Sequence, residues 1–145
     1  MIRPAKPQDV PAIVRLALQA LNEDPYPNLV ISRPKVEAMA RVAVSSPQHF
    51  VWVAEVDGEV RGAVAAIVDD CTFYERKQAN VVQFYAREAP GEGIKLIREF
   101  LRWARSRQAI KQIIFTLEGN ADPRIGKMLV RMGLKTALPI YLETR

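Results

Sequence analysis

Hydrophobic positions recur along the chain with two periods, and the changes of period mark out its elements. Val10, Ile13, Val14, Ala17, Leu18 and Leu21 fall at helical spacing and predict a helix over about 8–21, with Asp9 in the first turn, where a carboxylate complements the helix dipole. Ahead of it, 1–4 reads as a brief strand carried by Ile2. The cluster Asp24-Pro25-Tyr26-Pro27-Asn28 breaks the pattern, and Tyr26 there either lines a pocket or sits on an exposed loop. A second helix is predicted from Pro34, because the first helical position needs no N–H; Val36, Met39, Ala40 and Ala43 form its inner face, and it stops before Pro47.

The period then falls to two. Runs at 50–56 and 59–68 flank Asp57-Gly58, a pair suited to the tight turn of a hairpin. Phe50, Trp52, Ala54 and Val56 share one face, with Val51 and Val53 on the other, so the hairpin is expected to be covered on both sides. Residues 69–78 form a polar loop, where Phe73 and Tyr74 either cover a cleft or anchor the loop.

The stretch 80–107 organises the rest. Val81, Val82, Phe84 and Tyr85 read as a strand, and Ala89-Pro90-Gly91-Glu92-Gly93 interrupts it. Ile94, Ile97, Leu101 and Ala104, widened by Leu96, Phe100 and Trp103, then mark a long helix whose other face carries Lys95, Arg98, Arg102 and Arg105. Another strand is predicted at 112–117, a break at Gly119-Asn120, and a last helix capped by Asp122 with Pro123 first. Ile125, Met128, Leu129 and Met132 form its inner stripe, and Gly133 ends it. A final strand is expected at 137–143, at an edge because Pro139 has no donor. The order β α α β β β α β α β predicts a mixed α/β (α+β) layer built as a single domain over 1–145.

Composition narrows the classes without choosing one. The chain has 145 residues, 49% hydrophobic and 26% charged, the profile of a soluble globular protein. Apolar runs are too short to cross a bilayer, and the start lacks the apolar core of a signal peptide, so cytoplasmic residence is expected. Cys71 is the one cysteine; as a nucleophile it would need His49, the one histidine, and it reads better as a half-buried loop cysteine. A net charge of +5 attracts anions, but the basic residues are interleaved with acids, which disfavours a dedicated nucleic-acid segment. No metal site is expected.

A strand, a glycine-bearing turn and a helix can make an anion site, because the first N–H groups of a helix lack intrahelical partners and the dipole there favours negative charge. Gly91-x-Gly93 alone is a weak signal, and a plain strand-to-helix connection is the commoner reading of it.

The order of elements around that turn resembles the GNAT superfamily of acyl-CoA-dependent N-acetyltransferases. The likeness rests on Ile2-Arg3-Pro4-Ala5 followed by Asp9-Val10-Pro11-Ala12-Ile13, on the hairpin Val53-Ala54-Glu55-Val56-Asp57-Gly58-Glu59-Val60-Arg61-Gly62, and on Gly91-Glu92-Gly93 before the long helix. The helix that ends in Met132-Gly133-Leu134 completes it, and the Pro-Gly-x-Gly turn is similar to that of compact, phage-type members. The resemblance implies a mostly antiparallel sheet split between its fourth and fifth strands, with helices on both faces. It also implies acetyl-CoA as acyl donor and direct transfer to a primary amine of a small molecule or a protein, with a homodimer left open. Backbone groups of Phe84, Tyr85 and Ala86 would engage pantetheine like an added strand, and the N–H groups of Gly91, Glu92, Gly93 and Ile94 would hold the diphosphate. Asn120 would bond the pantetheine arm, or is a turn asparagine.

For proton removal from the acceptor amine, Glu118 is the first candidate and Glu55 the second; each is alternatively a solvated or ion-paired carboxylate. Glu88 stands where the family places Gln or Arg, and Leu129 where it often places a tyrosine that protonates the departing thiolate. Tyr141 is a further hydroxyl for that role, or a packing residue. These departures favour an alternative, a catalytically degenerate protein of the same fold that binds a partner or only the cofactor.

Overall fold

Five strands lie side by side in chain order: β1 (Ile2–Pro4), β2 (His49–Val56), β3 (Glu59–Asp70), β4 (Lys77–Tyr85) and β5 (Ile110–Phe115). The computed structural model describes residues 1–23, 26, 28–117, 121–137 and 140–145. Each neighbouring pair is antiparallel except β4 and β5, which run parallel. A parallel pair needs a crossover, and α3 (Pro90–Ser106) supplies it.

The hairpin of β2 and β3 turns where the sequence predicts. Asp57 and Gly58 both take positive φ, 53° and 78°, the twist that a two-residue hairpin turn requires. Its two faces are covered separately. Phe50, Ala54, Val64 and Ala66 pack with Leu96, Ile97, Phe100 and Leu101 of α3 and with Leu129 of α4 (Pro123–Arg131). Val53 and Ala63 pack on the other face with Ile13, Val14 and Leu16 of α1 (Val10–Glu23) and Ala40 of α2 (Arg33–Ser45). The apolar stripe of α3 predicted from the sequence is the one buried, except that Ile94 is left 38% exposed.

Caps define α4 as expected. The Asp122 carboxylate accepts the Arg124 N–H at 2.9 Å. At the other end Gly133 has φ 101°, and Gly133 N–H and Leu134 N–H donate to the carbonyls of Val130 and Leu129. Two expectations are corrected. The turn at 89–93 is not a break before the helix: Pro90 to Gly93 already form its first turn, because Pro90 at the first position needs no N–H partner. The strand expected at 137–143 does not form among its described residues. Ile140, Tyr141 and Leu142 are exposed and pair with no strand, and an apolar run gains strand structure only when it packs and pairs against a sheet. Leu138 and Pro139 lie outside the described residues.

Candidate active site

The split in the sheet follows from where β4 and β5 stop pairing. Lys77 to Val81 pair with Ile110 to Phe115, and there the ladder ends, although β4 runs on to Tyr85 against β3. A bulge sits at the same level: Ala66 pairs with Val81 but Ala65 with Gln83, so Val82 is an extra residue. The insertion shifts the alternation of faces. Phe84 therefore packs on the side of Val81, and Tyr85 turns to the opposite side with Val53 and Ala63. Beyond Val81, the edge of β4 that faced β5 has no partner strand among the described residues.

A cleft of about 510 Å³ fills the gap, within the range of small-molecule sites. One wall is β4, from Val81 to Ala86 and Arg87; the opposite wall is Thr116, Leu117 and the start of α4. Pro90, Gly91, Gly93 and Ile94 of α3 complete the lining together with Ala20, Leu21, Glu23 and Tyr26.

The two glycines of the turn act differently. A Cβ built on Gly93 would lie 2.6 Å from the Ala86 Cβ, so glycine here lets α3 seat directly on β4. A Cβ on Gly91 would meet nothing within 4 Å, and this glycine keeps the mouth of the helix open. The Gly93 N–H donates to the Ala89 carbonyl at 2.9 Å, so of the N–H groups expected to hold an anion, those of Gly91 and Glu92 remain in the first turn, at the positive end of a 17-residue helix.

Charges around the cleft are paired across elements. Glu88 is drawn out of the cleft by Arg15 of α1, 3.2 Å away, so its carboxylate does not oppose an anion at the helix mouth. Glu92 likewise turns from the cleft to Lys95 at 2.5 Å and to the Met1 amino group at 3.1 Å, and these contacts hold its carboxyl below the usual range. Glu23, at the end of α1, accepts the Tyr85 hydroxyl at 3.1 Å on Oε1 and the Arg87 guanidinium at 3.0 Å on Oε2. Burial, with the Glu23 carboxylate beside it, raises the Tyr85 phenol above its ordinary value. Across the cleft, Arg124 grips both oxygens of Asp122 and lowers that carboxyl to about 2.

The residues expected from the sequence are dispersed by the fold. Phe84, Tyr85, Ala86, Gly91, Gly93 and Ile94 all line the cleft, and Glu92 sits in the same turn with its side chain directed away. Glu55 lies elsewhere: its carboxylate is held at 2.8 Å by Arg3, which also binds Asp9, and it does not line the cleft. Leu129 is buried in the core, while Arg124, Ile125 and Met128 are the α4 residues that line the cleft. Tyr141, Phe73 and Tyr74 are exposed and away from it. Glu118 and Asn120 lie outside the described residues. Sequence reasoning missed Glu23, Arg87 and Arg124. The signal for Arg87 was its position just before the glycine turn; nothing local distinguishes Glu23 from any other glutamate at a helix end.

Sheet order, the parting of the parallel pair and the helix set on the glycine turn together define the GNAT-like N-acetyltransferase fold. Solved structures of that fold match over the whole chain. Ribosomal-protein-alanine N-acetyltransferase from Brucella melitensis biovar Abortus 2308 is 17% identical with a TM-score of 0.67, the match covering 100% of this chain and 97% of that one. A possible acetyltransferase from Clostridium difficile 630 is 11% identical with a TM-score of 0.74, covering 100% and 97%. A Pyrococcus furiosus protein provisionally named an acetyl transferase is 20% identical with a TM-score of 0.73, covering 100% and 99%. No protein-family model matches the chain, and no curated protein matches its sequence. At these identities the likeness is one of fold.

Proposed function

We propose that the chain is an acetyl-CoA-dependent N-acetyltransferase that passes an acetyl group directly to a primary amine. The observation that carries this reading is the edge of β4 beyond Val81, which no strand pairs among the described residues, lining one cleft with Gly91 in the first turn of α3, where a Cβ would meet nothing within 4 Å. The residues present fit the donor. The N–H groups of Gly91 and Glu92 in the first turn of α3 suit a diphosphate; the Gly93 N–H donates to the Ala89 carbonyl at 2.9 Å and Ile94 lies past the first turn, so these two are not carried forward as N–H donors. The edge of β4 at Phe84 and Tyr85, with Ala86 after it, suits the amide-bearing pantetheine arm. Acetyl-CoA supplies an acetyl group already activated as a thioester. The protein then has to orient it, polarise its carbonyl with an N–H of β4, and keep water away with the apolar walls of Val82, Ile94, Leu117 and Met128.

Proton removal from the amine falls to a carboxylate on the cleft. Glu118 and Asn120 follow Leu117 of the cleft wall in sequence and keep the roles of base and pantetheine ligand in this reading. Glu55 is not carried forward, because Arg3 holds it elsewhere. Cytoplasmic residence belongs to the same proposal; among the described residues no helix is long and apolar enough to cross a membrane.

Leu129 favours a second reading, a protein that binds the cofactor or a partner without turnover, since the core and not the cleft holds the position where a proton donor is often found. Isothermal titration with acetyl-CoA tests the first reading: heat and a thermal shift are expected, and neither at millimolar cofactor overturns it. Acetyl transfer to a panel of primary amines separates the two, turnover eliminating the second.

A further inference from the structure

A second cleft, of about 390 Å³, lies at the opposite end of α3, where the turn over 107–110 leads into β5. The Ile110 N–H donates to the Arg107 carbonyl at 3.1 Å, and the Lys77 N–H to the Ala109 carbonyl at 3.1 Å, so the start of β4 is seated on that turn. Trp103 of α3 forms the apolar part of the lining with Val68 and Ile110. Its ring is fixed by those of Phe50 and Phe100, with centroids 4.9 and 6.3 Å away. The Arg107 guanidinium lies over the Trp103 ring, 4.6 Å from its centroid.

The polar part of the lining is one-sided. Arg107, Lys77, Gln48 and Gln108 contribute to it, and no carboxylate does so among the described residues. Lys77 is tied to Asp70 at 2.9 Å, and Glu99, one turn back from Trp103, is taken by Arg102 at 2.9 Å. Arg107 pairs with no carboxylate among the described residues, and the side-chain amides of Gln48 and Gln108 hydrogen-bond to none of them. A cation near the C-terminal end of a helix suits its dipole, yet the dipole calls for neither a fixed ring beside it nor amides around it.

We propose that this second cleft binds a small planar organic carboxylate. The Arg107 guanidinium offers a planar fork of N–H groups that matches the two carboxylate oxygens, Gln48 and Gln108 supply amide donors around them, and the apolar body of the ligand rests against Trp103, Val68 and Ile110. Because the Trp103 ring already holds the guanidinium, little side-chain freedom is lost when the ligand binds. No residue lines both this cleft and the one between β4 and β5, so the site does not depend on the acyl-transfer reading.

The test is a titration of the full chain with benzoate, followed by NMR at the tryptophan indole N–H signals, which the Trp103→Phe variant assigns. The Trp103 signal should shift and saturate. Benzamide, which has the same shape without the charge, should bind about fivefold more weakly. Arg107→Gln should bring benzoate down to the level of benzamide, and Arg107→Lys should keep part of the preference. Inorganic phosphate, which has no apolar body, should not displace benzoate at equal concentration. A Trp103 signal that stays still up to the solubility limit of benzoate overturns the proposal. Benzamide binding as tightly as benzoate, an undiminished response in Arg107→Gln, or displacement by phosphate overturns it equally. So does a response confined to β4 beyond Val81 and the first turn of α3, which would put the ligand in the other cleft.

Discussion

Arg15 of α1 holds the Glu88 carboxylate 3.2 Å away, and neither residue lines the cleft. A glutamate at this place would repel a diphosphate if it pointed inward, and the ion pair is what points it outward. Arg15→Ala should therefore weaken coenzyme A binding about two- to fivefold at low salt, with the loss shrinking as salt screens it. Both side chains are well exposed, so stability should change by less than about 0.5 kcal/mol. Adding Glu88→Gln should restore binding; calorimetry and urea melts read the two effects separately.

Gly91 and Gly93 should part company when each is replaced by alanine. Gly93→Ala puts a methyl group 2.6 Å from Ala86 and must lift α3 off β4, at a cost of about 1–3 kcal/mol and with weaker coenzyme A binding. Gly91→Ala meets open space, so stability should hold or rise by up to about 1 kcal/mol, because alanine is the better helix former. Coenzyme A binding should nonetheless fall severalfold, the methyl group now standing among the N–H groups. Denaturation and calorimetry on the same samples check the contrast.

Asp9 is the buried centre of a network in which Arg3 donates to both its oxygens, at 2.7 and 3.0 Å, and the Lys6 N–H donates at 2.7 Å. The Arg3 guanidinium, and then the Lys6 N–H, hold the Asp9 carboxyl below its ordinary value of 3.8. As pH falls the unfolded chain takes up this proton before the folded one does. The contribution of Asp9 is thus complete above pH 3.8 and is lost as pH drops through the lower folded value. Asp9→Asn should cost about 1–3 kcal/mol at pH 7 and should flatten the fall in urea midpoint as pH drops below the ordinary value of 3.8.

Leu129→Tyr would place a hydroxyl where the family resemblance expects a proton donor. Because Leu129 is only 5% exposed and packs in the core with Phe100 and Ala104, the added bulk should destabilise by about 1–3 kcal/mol. No gain in acetyl transfer is expected; a faster variant of unchanged stability would mean that this position does reach the cleft.

Local chemistry made much of the fold legible. Asp57-Gly58 requires the turn it forms, Asp122-Pro123 and Gly133 set the two ends of α4, and the repeat of Ile97, Leu101 and Ala104 identifies the buried side of α3. The glycine turn and the strand before it were readable as a cleft for the same reason: residue type and spacing act over a few positions. The expected tail strand shows the limit, since its apolar run needed an edge that local sequence cannot provide.

By itself, then, the sequence determined the order of elements, their turns and caps, and the apolar face of each, because these depend on contacts among near neighbours. Only the tertiary structure decided which carboxylates enter the cleft. The bulge at Val82 turned Tyr85 toward α1, Arg15 drew Glu88 outward from 73 positions away, Arg3 took Glu55, and the end of α1 brought Glu23 to Arg87. The physical reason is that a charge goes to whichever opposite charge the packed backbone sets within reach, and that pairing is fixed only when the sheet and helices close together.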